Sequence, residues 1–454
     1  MNGIARWTVL MMMSIPMVLS AAPRVETMIY KDQAGKPVPY AGTVAPNSKV
    51  LIPTQYHPKT TEARGAWVAT VQNIDFGKHR TAASFKKQFT QILDDLKSKN
   101  FNFIVFQVRP TNDAFYRSGL NPWSRFLTGE EGVEIKGFDP LAFMIEETHK
   151  RGMQFHAWLN PYRVVGSTDQ SKSAYLNSLS DKNFARQNPH LVLDVPKNGQ
   201  RTLILNPGEP EVIKFVVDTV RELASNYDVD AIHFDDYFYP YGGVGNVDKD
   251  TYQRQNKRQQ SIEDWRRENV NTLIQSVSRA IAANNRINNK QVQFGISPFG
   301  IWANYSPEQK FGSLTRGSEA LNSQYADTRR WVKEGWIDYI APQLYWPFAH
   351  KVAAYAALAD WWAYTVRGTN VNLYIGMAPY RLGEESIWQN PMEIVDQLRY
   401  NGKYPEIKGE IFFSYRNIAN PGNAVMKKGL EQVWKNCWNK PAALPACGPF
   451  KPKR

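Results

Sequence analysis

From Gly65 onward the chain alternates short apolar runs with longer stretches of helical period. Eight runs read as buried strands: 65–71 (GAWVATV), 101–108 (FNFIVFQV), 153–160 (MQFHAWLN), 230–235 (DAIHFD), 292–297 (VQFGIS), 338–345 (DYIAPQLY), 372–379 (NLYIGMAP) and 409–415 (GEIFFSY). Between them, apolar residues return every three or four positions. Phe85, Phe89, Ile92, Leu93 and Leu96 form one such face, and Leu141, Met144, Ile145 and Thr148 a second. Val212, Phe215, Val216, Thr219, Val220 and Leu223 form a third, and Val270, Leu273, Ile274, Val277 and Ile281 a fourth. Similar stripes cover 325–334, 353–366, 391–400 and 421–436. Asp139, Pro140 and Gly152 punctuate the second helix as cap, first residue and stop.

Strands apolar on both faces, each followed by a helix, imply a parallel sheet covered on both sides. Eight repeats predict an α/β fold, a (β/α)8 TIM barrel. Strand starts lie 34 to 77 residues apart, against roughly 31 in a lean barrel. The surplus predicts enlarged βα loops after strands two, three and four, at the C-terminal mouth. A doubly wound sheet is the competing fold, but no Gly-rich phosphate loop follows the first strand.

The barrel is assigned to 63–436. Residues 1–22 start with Arg6, run apolar from Trp7 to Leu19, and end on Ser20, Ala21 and Ala22. That is the order of a cleaved secretory signal peptide. No Cys lies near the site for a lipid anchor, so a periplasmic or secreted protein without a membrane anchor is expected. Residues 23–62 show no sustained period and read as a linker or poorly ordered arm. Residues 437–454 form a tail holding both cysteines, Cys437 and Cys447, whose pairing in one disulfide is expected in an exported protein.

The 454 residues carry 43% apolar and 21% charged residues, which excludes wholesale disorder. The net charge of +13 comes from scattered pairs such as Lys86-Lys87 and Arg329-Arg330, not from a basic block. That argues against a nucleic-acid partner and fits attraction to polyanions in general. Aromatics at 13% suit a large core or stacking on sugar rings.

Polar residues gather at the strand ends. Strand two ends on Gln107 and Arg109; strand three on His156, Trp158 and Asn160, followed by Tyr162 and Arg163. Strand four ends on His233, Asp235 and Asp236, followed by Tyr237-Phe238-Tyr239; strand five ends on Ser297; strand six on Gln343, Tyr345 and Trp346. Adjacent carboxyls at a barrel strand end repel, so one pKa is expected to rise, as a general acid requires. His156, His233, Asp235 and Asp236 are the rival metal set. No HxH closes strand one and no HExxH occurs, so neither metal nor cofactor is expected. No G-x-S-x-G elbow offers a nucleophilic serine.

The segments RGAWVATVQNIDF, VFQVRPTNDAFYRSGLNPWSRFLTG, FDPLAFMIEETHKRGMQFHAWLNPYRV, HFDDYFYP, ADTRRWVKEGWIDYIAPQLYWPF and LYIGMAPYRLGE resemble the glycosyl-hydrolase-like family 10 proteins, in particular the bacterial divisome-localised glycosyl hydrolases. The resemblance runs from about 62 to 435. It implies a (β/α)8 barrel that hydrolyses peptidoglycan strands lacking stem peptides, with cell-division or wall-remodelling proteins as candidate partners. Some related members are lipoproteins; this chain lacks the lipobox Cys. On this reading Asp236 is the general acid/base. Asp235 either orients the sugar's 2-acetamido group, or one of the pair works with Glu384 across the mouth. Arg109 and Arg163 are assigned to acetamido or lactyl oxygens. Tyr162, Tyr237, Trp302, Tyr345 and Trp346 are assigned to sugar faces, and Asn160, His233 and Gln343 complete the substrate-binding set. The alternatives are a glycosidase of another polysaccharide, such as an exopolysaccharide, or a non-catalytic wall-binding barrel.

Overall fold

The computed structural model describes residues 26–446. The apolar runs become eight parallel strands: β1 (Ala63–Val68), β2 (Phe103–Arg109), β3 (Gln154–Leu159), β4 (Ala231–Phe234), β5 (Gln293–Ile296), β6 (Tyr339–Ile340), β7 (Asn372–Met377) and β8 (Ile407–Phe412). They pair in sequence order and close, β8 against β1, into one barrel. β6 is much shorter than its apolar run. Pro342 has no N–H to give the ladder, and Gln343 rejoins its neighbours only as isolated bridges to Phe299 and Gly376.

The helices follow the expected stripes: α1 (Ala82–Ser98), α2 (Pro140–Lys150), α3 (Pro210–Asn226), α4 (Ile262–Asn288), α5 (Thr328–Lys333), α6 (Tyr355–Val366), α7 (Glu393–Asn401) and α8 (Ala424–Asn436). The buried face of α1 is Phe85, Phe89, Ile92, Leu93 and Leu96. Asp139 caps α2 by accepting from Leu141 N and Ala142 N, with Pro140 next. Outward strand residues join these helix faces in the main core. Inward residues fill the lumen with Trp67, Phe103, Val105, Trp158, Tyr339, Tyr374 and Ile411. Gly295 is required there, because a Cβ would stand 1.9 Å from the Tyr339 ring.

The long loops fall at the mouth. The one after β3 carries a three-stranded antiparallel sheet of Arg163–Thr168, Val192–Lys197 and Gln200–Leu205. The loops after β2 and β4 carry short helices at Arg125–Thr128 and Lys249–Gln255. The loop after β5 is also long, with a short helix at Ala320–Ser323.

Residues 26–62 differ from the expected irregular arm. Thr27–Ile29 pairs with Leu51–Pro53, and Pro39–Ala41 with Ala45–Lys49. Tyr30 donates to Glu393 on α7 at 2.5 Å and Tyr40 to Asp360 on α6 at 2.7 Å. Strands of three to five residues are too short to show a period, and long-range contacts hold them. At the other end of the chain, residues 437–446 lie across the barrel floor. Arg64 Nη1 donates to Lys440 O at 2.6 Å, its guanidinium stands 5.2 Å from the Trp438 ring, and Thr61 bridges Ala443. Cys437 is buried there. Its expected partner Cys447, like segment 1–22, lies outside the described residues. Among the described residues no helix is long and apolar enough to cross a membrane.

Candidate active site

The carboxyl pair stands just past β4. On β3, alternation puts Trp158 and Asn160 on one face, and both reach Asp235. Trp158 Nε1 donates to Asp235 Oδ2 at 2.9 Å. Asn160 Nδ2 lies 3.0 and 3.1 Å from the two carboxylate oxygens, and Tyr237 N donates at 3.2 Å. Asn160 is itself fixed, its Oδ1 accepting from Arg163 N at 2.8 Å. Asp235 is buried, which pushes its pKa up; the Arg163 charge and these donors pull it back.

Asp236 has fewer partners. The Tyr241 hydroxyl donates to it. Burial first, and then the charge on Asp235, push its pKa up to about 7, with the Gln343 amide pulling the other way. Repulsion within the pair therefore exists, but burial is the larger cause. Asp236 therefore holds its proton to higher pH than an ordinary carboxyl. Asp235 is tied down by three donors.

Beside the pair opens a cleft of about 340 Å³, lined by Arg163, Lys197, Ile204, Tyr237, Tyr241 and Ile74 among others. Tyr237 is 42% exposed, with the Arg163 guanidinium 4.2 Å from its ring centre. Aromatic contacts run from Tyr237 to Tyr241, Phe299 and Trp346. A second group joins Tyr345, Tyr380, Phe413 and Trp67; a cis peptide links Phe413 to Ser414. Past Ile74 lies another cleft, of about 600 Å³, between the loops after β1 and β8.

Of the residues expected at the site, Asn160, Arg163, Tyr237, Gln343, Tyr345 and Trp346 gather round the pair or its aromatic rim. Four others do not. Arg109 is fully buried. The β2–β3 register shifts between Gln107 and Arg109, so Arg109 pairs with Leu159 and faces outward, its guanidinium 5.4 Å from the Phe215 ring on α3. Its Nη1 donates to Asn160 O at 2.6 Å and its Nε to Asn121 at 3.1 Å, which makes it a brace for the β3 end. Tyr162 is buried in the main core. Trp302 stacks on Trp361 at 5.6 Å and donates to Asp327, away from the cleft. His233 is sealed in the lumen, sharing the Tyr339 hydroxyl with His156 and contacting Ser297 Oγ at 2.8 Å. Burial lowers the pKa of both histidines.

Glu384 is exposed, 3.5 Å from Arg381, and makes no hydrogen bond to Asp235 or Asp236. Tyr241, Tyr380 and Phe413 escaped the sequence reading. Tyr241 was within reach of it, since it extends the aromatic run after the Asp pair by two positions.

A closed (β/α)8 barrel with buried acids at its mouth and an aromatic rim has the build of a carbohydrate-active barrel enzyme. The chain belongs to the glycosyl hydrolase-like 10 family, whose model matches residues 62–393. It is 40% identical over 406 residues to glycosyl hydrolase YngK of Bacillus subtilis (strain 168), covering 86% of this chain and 76% of that protein. It is 38% identical over 420 residues to glycosyl hydrolase DigH of Escherichia coli (strain K12), covering 88% and 93%. Among solved structures it is similar in fold to the catalytic domain of β-amylase from Paenibacillus polymyxa, with a TM-score of 0.51 at 10% identity over 85% of this chain and 100% of that one. The protein is a glycoside hydrolase.

Proposed function

We propose that this hydrolase cleaves N-acetylated glycan strands, peptidoglycan lacking stem peptides, outside the cytoplasm and alongside wall-remodelling proteins. The observation that carries the mechanism is the unequal pair: Asp236 with a pKa near 7 beside an Asp235 held by Trp158, Asn160 and Tyr237 N. Asp236 gives its proton to the departing glycosidic oxygen. Asp235 stays charged and steadies the 2-acetamido group as its oxygen attacks the anomeric carbon, which is the substrate-assisted route. The proton then returns from the attacking water to Asp236. The exposed Arg381–Glu384 pair supports this over a cross-mouth partnership. A cleft that continues past Ile74 suits a polymer. The signal-like segment 1–22 supports export.

The test is digestion of purified strands with and without stem peptides, and of chitin, read as new reducing ends. Release from peptide-free strands, abolished in Asp236→Asn and Asp235→Asn with the fold intact, is the expected result. Full activity in either variant overturns the mechanism. Cleavage of another polysaccharide alone overturns the substrate. Fractionation of cells expressing the full chain checks export.

A further inference from the structure

The flank of the barrel carries a separate concavity of about 490 Å³, and none of its lining residues lines the mouth clefts. Its walls are a small hairpin closed by the antiparallel Ser306–Phe311 bridge and tied at its base by the parallel Asn304–Ser313 bridge, one side of α5, and the last turns of α6. Trp361 lines it, stacked at 5.6 Å and 14° on Trp302, the tryptophan that the mouth does not use. Phe311 packs on Trp302 at 5.6 Å yet stays 39% exposed, and Tyr364 is 72% exposed. Exposed aromatics in one concave patch mark a contact surface.

The charges there are one-sided. Lys310, Arg329 and Lys333 line the concavity, and none of their side chains makes an ion pair or hydrogen bond among the described residues. The Arg329 guanidinium lies 5.7 Å from the Trp302 ring. Burial and the neighbouring Arg329 charge both lower the Lys333 pKa. The hairpin's own acid, Glu308, is engaged by Ser306 at 2.5 Å, and the concavity's fourth cation, Arg367, is paired with Glu406. The hairpin is also built to hold its shape. Gly312 has φ near 102°, and a Cβ there would stand 2.4 Å from Asn304 O. Asn304 Nδ2 donates to Glu319 at 2.7 Å.

We propose that this concavity is a second glycan site, which grips an anionic stretch of the polymer while another stretch occupies the mouth. Ring faces of Trp361, Phe311 and Tyr364 meet pyranose faces, and the three free cations meet carboxylates. Two anchors on one chain raise the effective concentration of the cleavable segment at the mouth. The inference rests on the protein being a hydrolase of an anionic glycan.

The test uses the full chain carrying Asp236→Asn, so that substrate survives, sedimented with insoluble peptide-free peptidoglycan or with uncharged chitin. Adding Lys333→Ala and Tyr364→Ala, both surface changes, is expected to weaken retention on the peptidoglycan about tenfold, with chitin much less affected. In the Asp236 parent, the same two changes leave cleavage of a short soluble fragment of that polymer unaltered. Unchanged retention on the anionic polymer overturns the proposal. So does an equal loss of binding to a single-stranded oligonucleotide or to phosphatidylglycerol vesicles. Flank-dependent retention by a protein that fails to cut the polymer refutes the assignment of the mouth and leaves the flank site standing.

Discussion

The two ends of the barrel each bury a pair of carboxyls, and only one end can use them. At the mouth, burial pushes Asp236 up to about 7 beside Asp235. At the floor, burial and the neighbouring Glu62 push Glu410 up to about 8. By pKa alone the floor looks as perturbed as the mouth. The difference is what stands against each pair. Glu62 pairs with Arg64 at 2.7 Å and accepts from Tyr56 at 2.8 Å, and the tail covers Arg64 with Trp438 and Lys440. Asp236 stands beside a cleft, with a half-exposed Tyr237 next to it. A perturbed acid marks a site only where a ligand can reach it.

The strongest way to break this comparison is to neutralise one acid at each end. Asp236→Asn is expected to cut kcat/KM by about 10²–10⁴-fold, the usual share of general acid catalysis. Glu410→Gln is expected to leave it unchanged and to alter only the pH dependence of stability. Glu410 is raised in the fold, so the native state holds a proton that the unfolded chain releases near pH 4.3. Its contribution is therefore full below that value and is lost as pH rises toward about 8. Glu62, Lys59 and Arg64 face the same group. Tm measured from pH 5 to 8 should fall less steeply in the Gln variant. Loss of activity in Glu410→Gln would dissolve the distinction between the ends.

A smaller effect is expected from Asn160→Ala. It removes a hydrogen bond to a charged group, about 1.5–3 kcal/mol, or roughly ten- to a hundredfold in kcat/KM. Circular dichroism should stay native. The pH profile sharpens the picture next. If Asp236 acts as the acid, kcat/KM falls about tenfold per pH unit above about 7, and a flat alkaline limb would contradict it. The smallest effect belongs to Glu384→Gln. Its ion pair is exposed, so activity is expected within about twofold of the parent. A hundredfold loss would move the second carboxyl across the mouth.

All eight strands and the first four helix faces were legible because buried elements carry a strong period. The Asp pair was legible because it closes an apolar run. Arg109 was misread because alternation holds only while the register holds, and the β2–β3 shift reversed its face. Tyr162 and Trp302 were misread because an aromatic near a loop looks the same in sequence whether it meets a sugar or the core. The strands at 26–62 were missed because segments of three to five residues depend on partners such as Glu393 and Asp360, more than 300 residues away. Repulsion between adjacent acids was visible in the sequence; the larger burial effect was not.

The floor has a further consequence, for the order of assembly. β1 cannot complete its ladder until β8, residues Ile407–Phe412, has been made. Arg64 cannot meet Lys440 until the chain between them, a separation of 376 positions, has been made. Contacts this distant in sequence form late. A nascent chain that stops short of β8 has no partner for the free side of β1, and a bare strand edge can pair with other chains. All eight strands must exist before any of the barrel is safe from its neighbours.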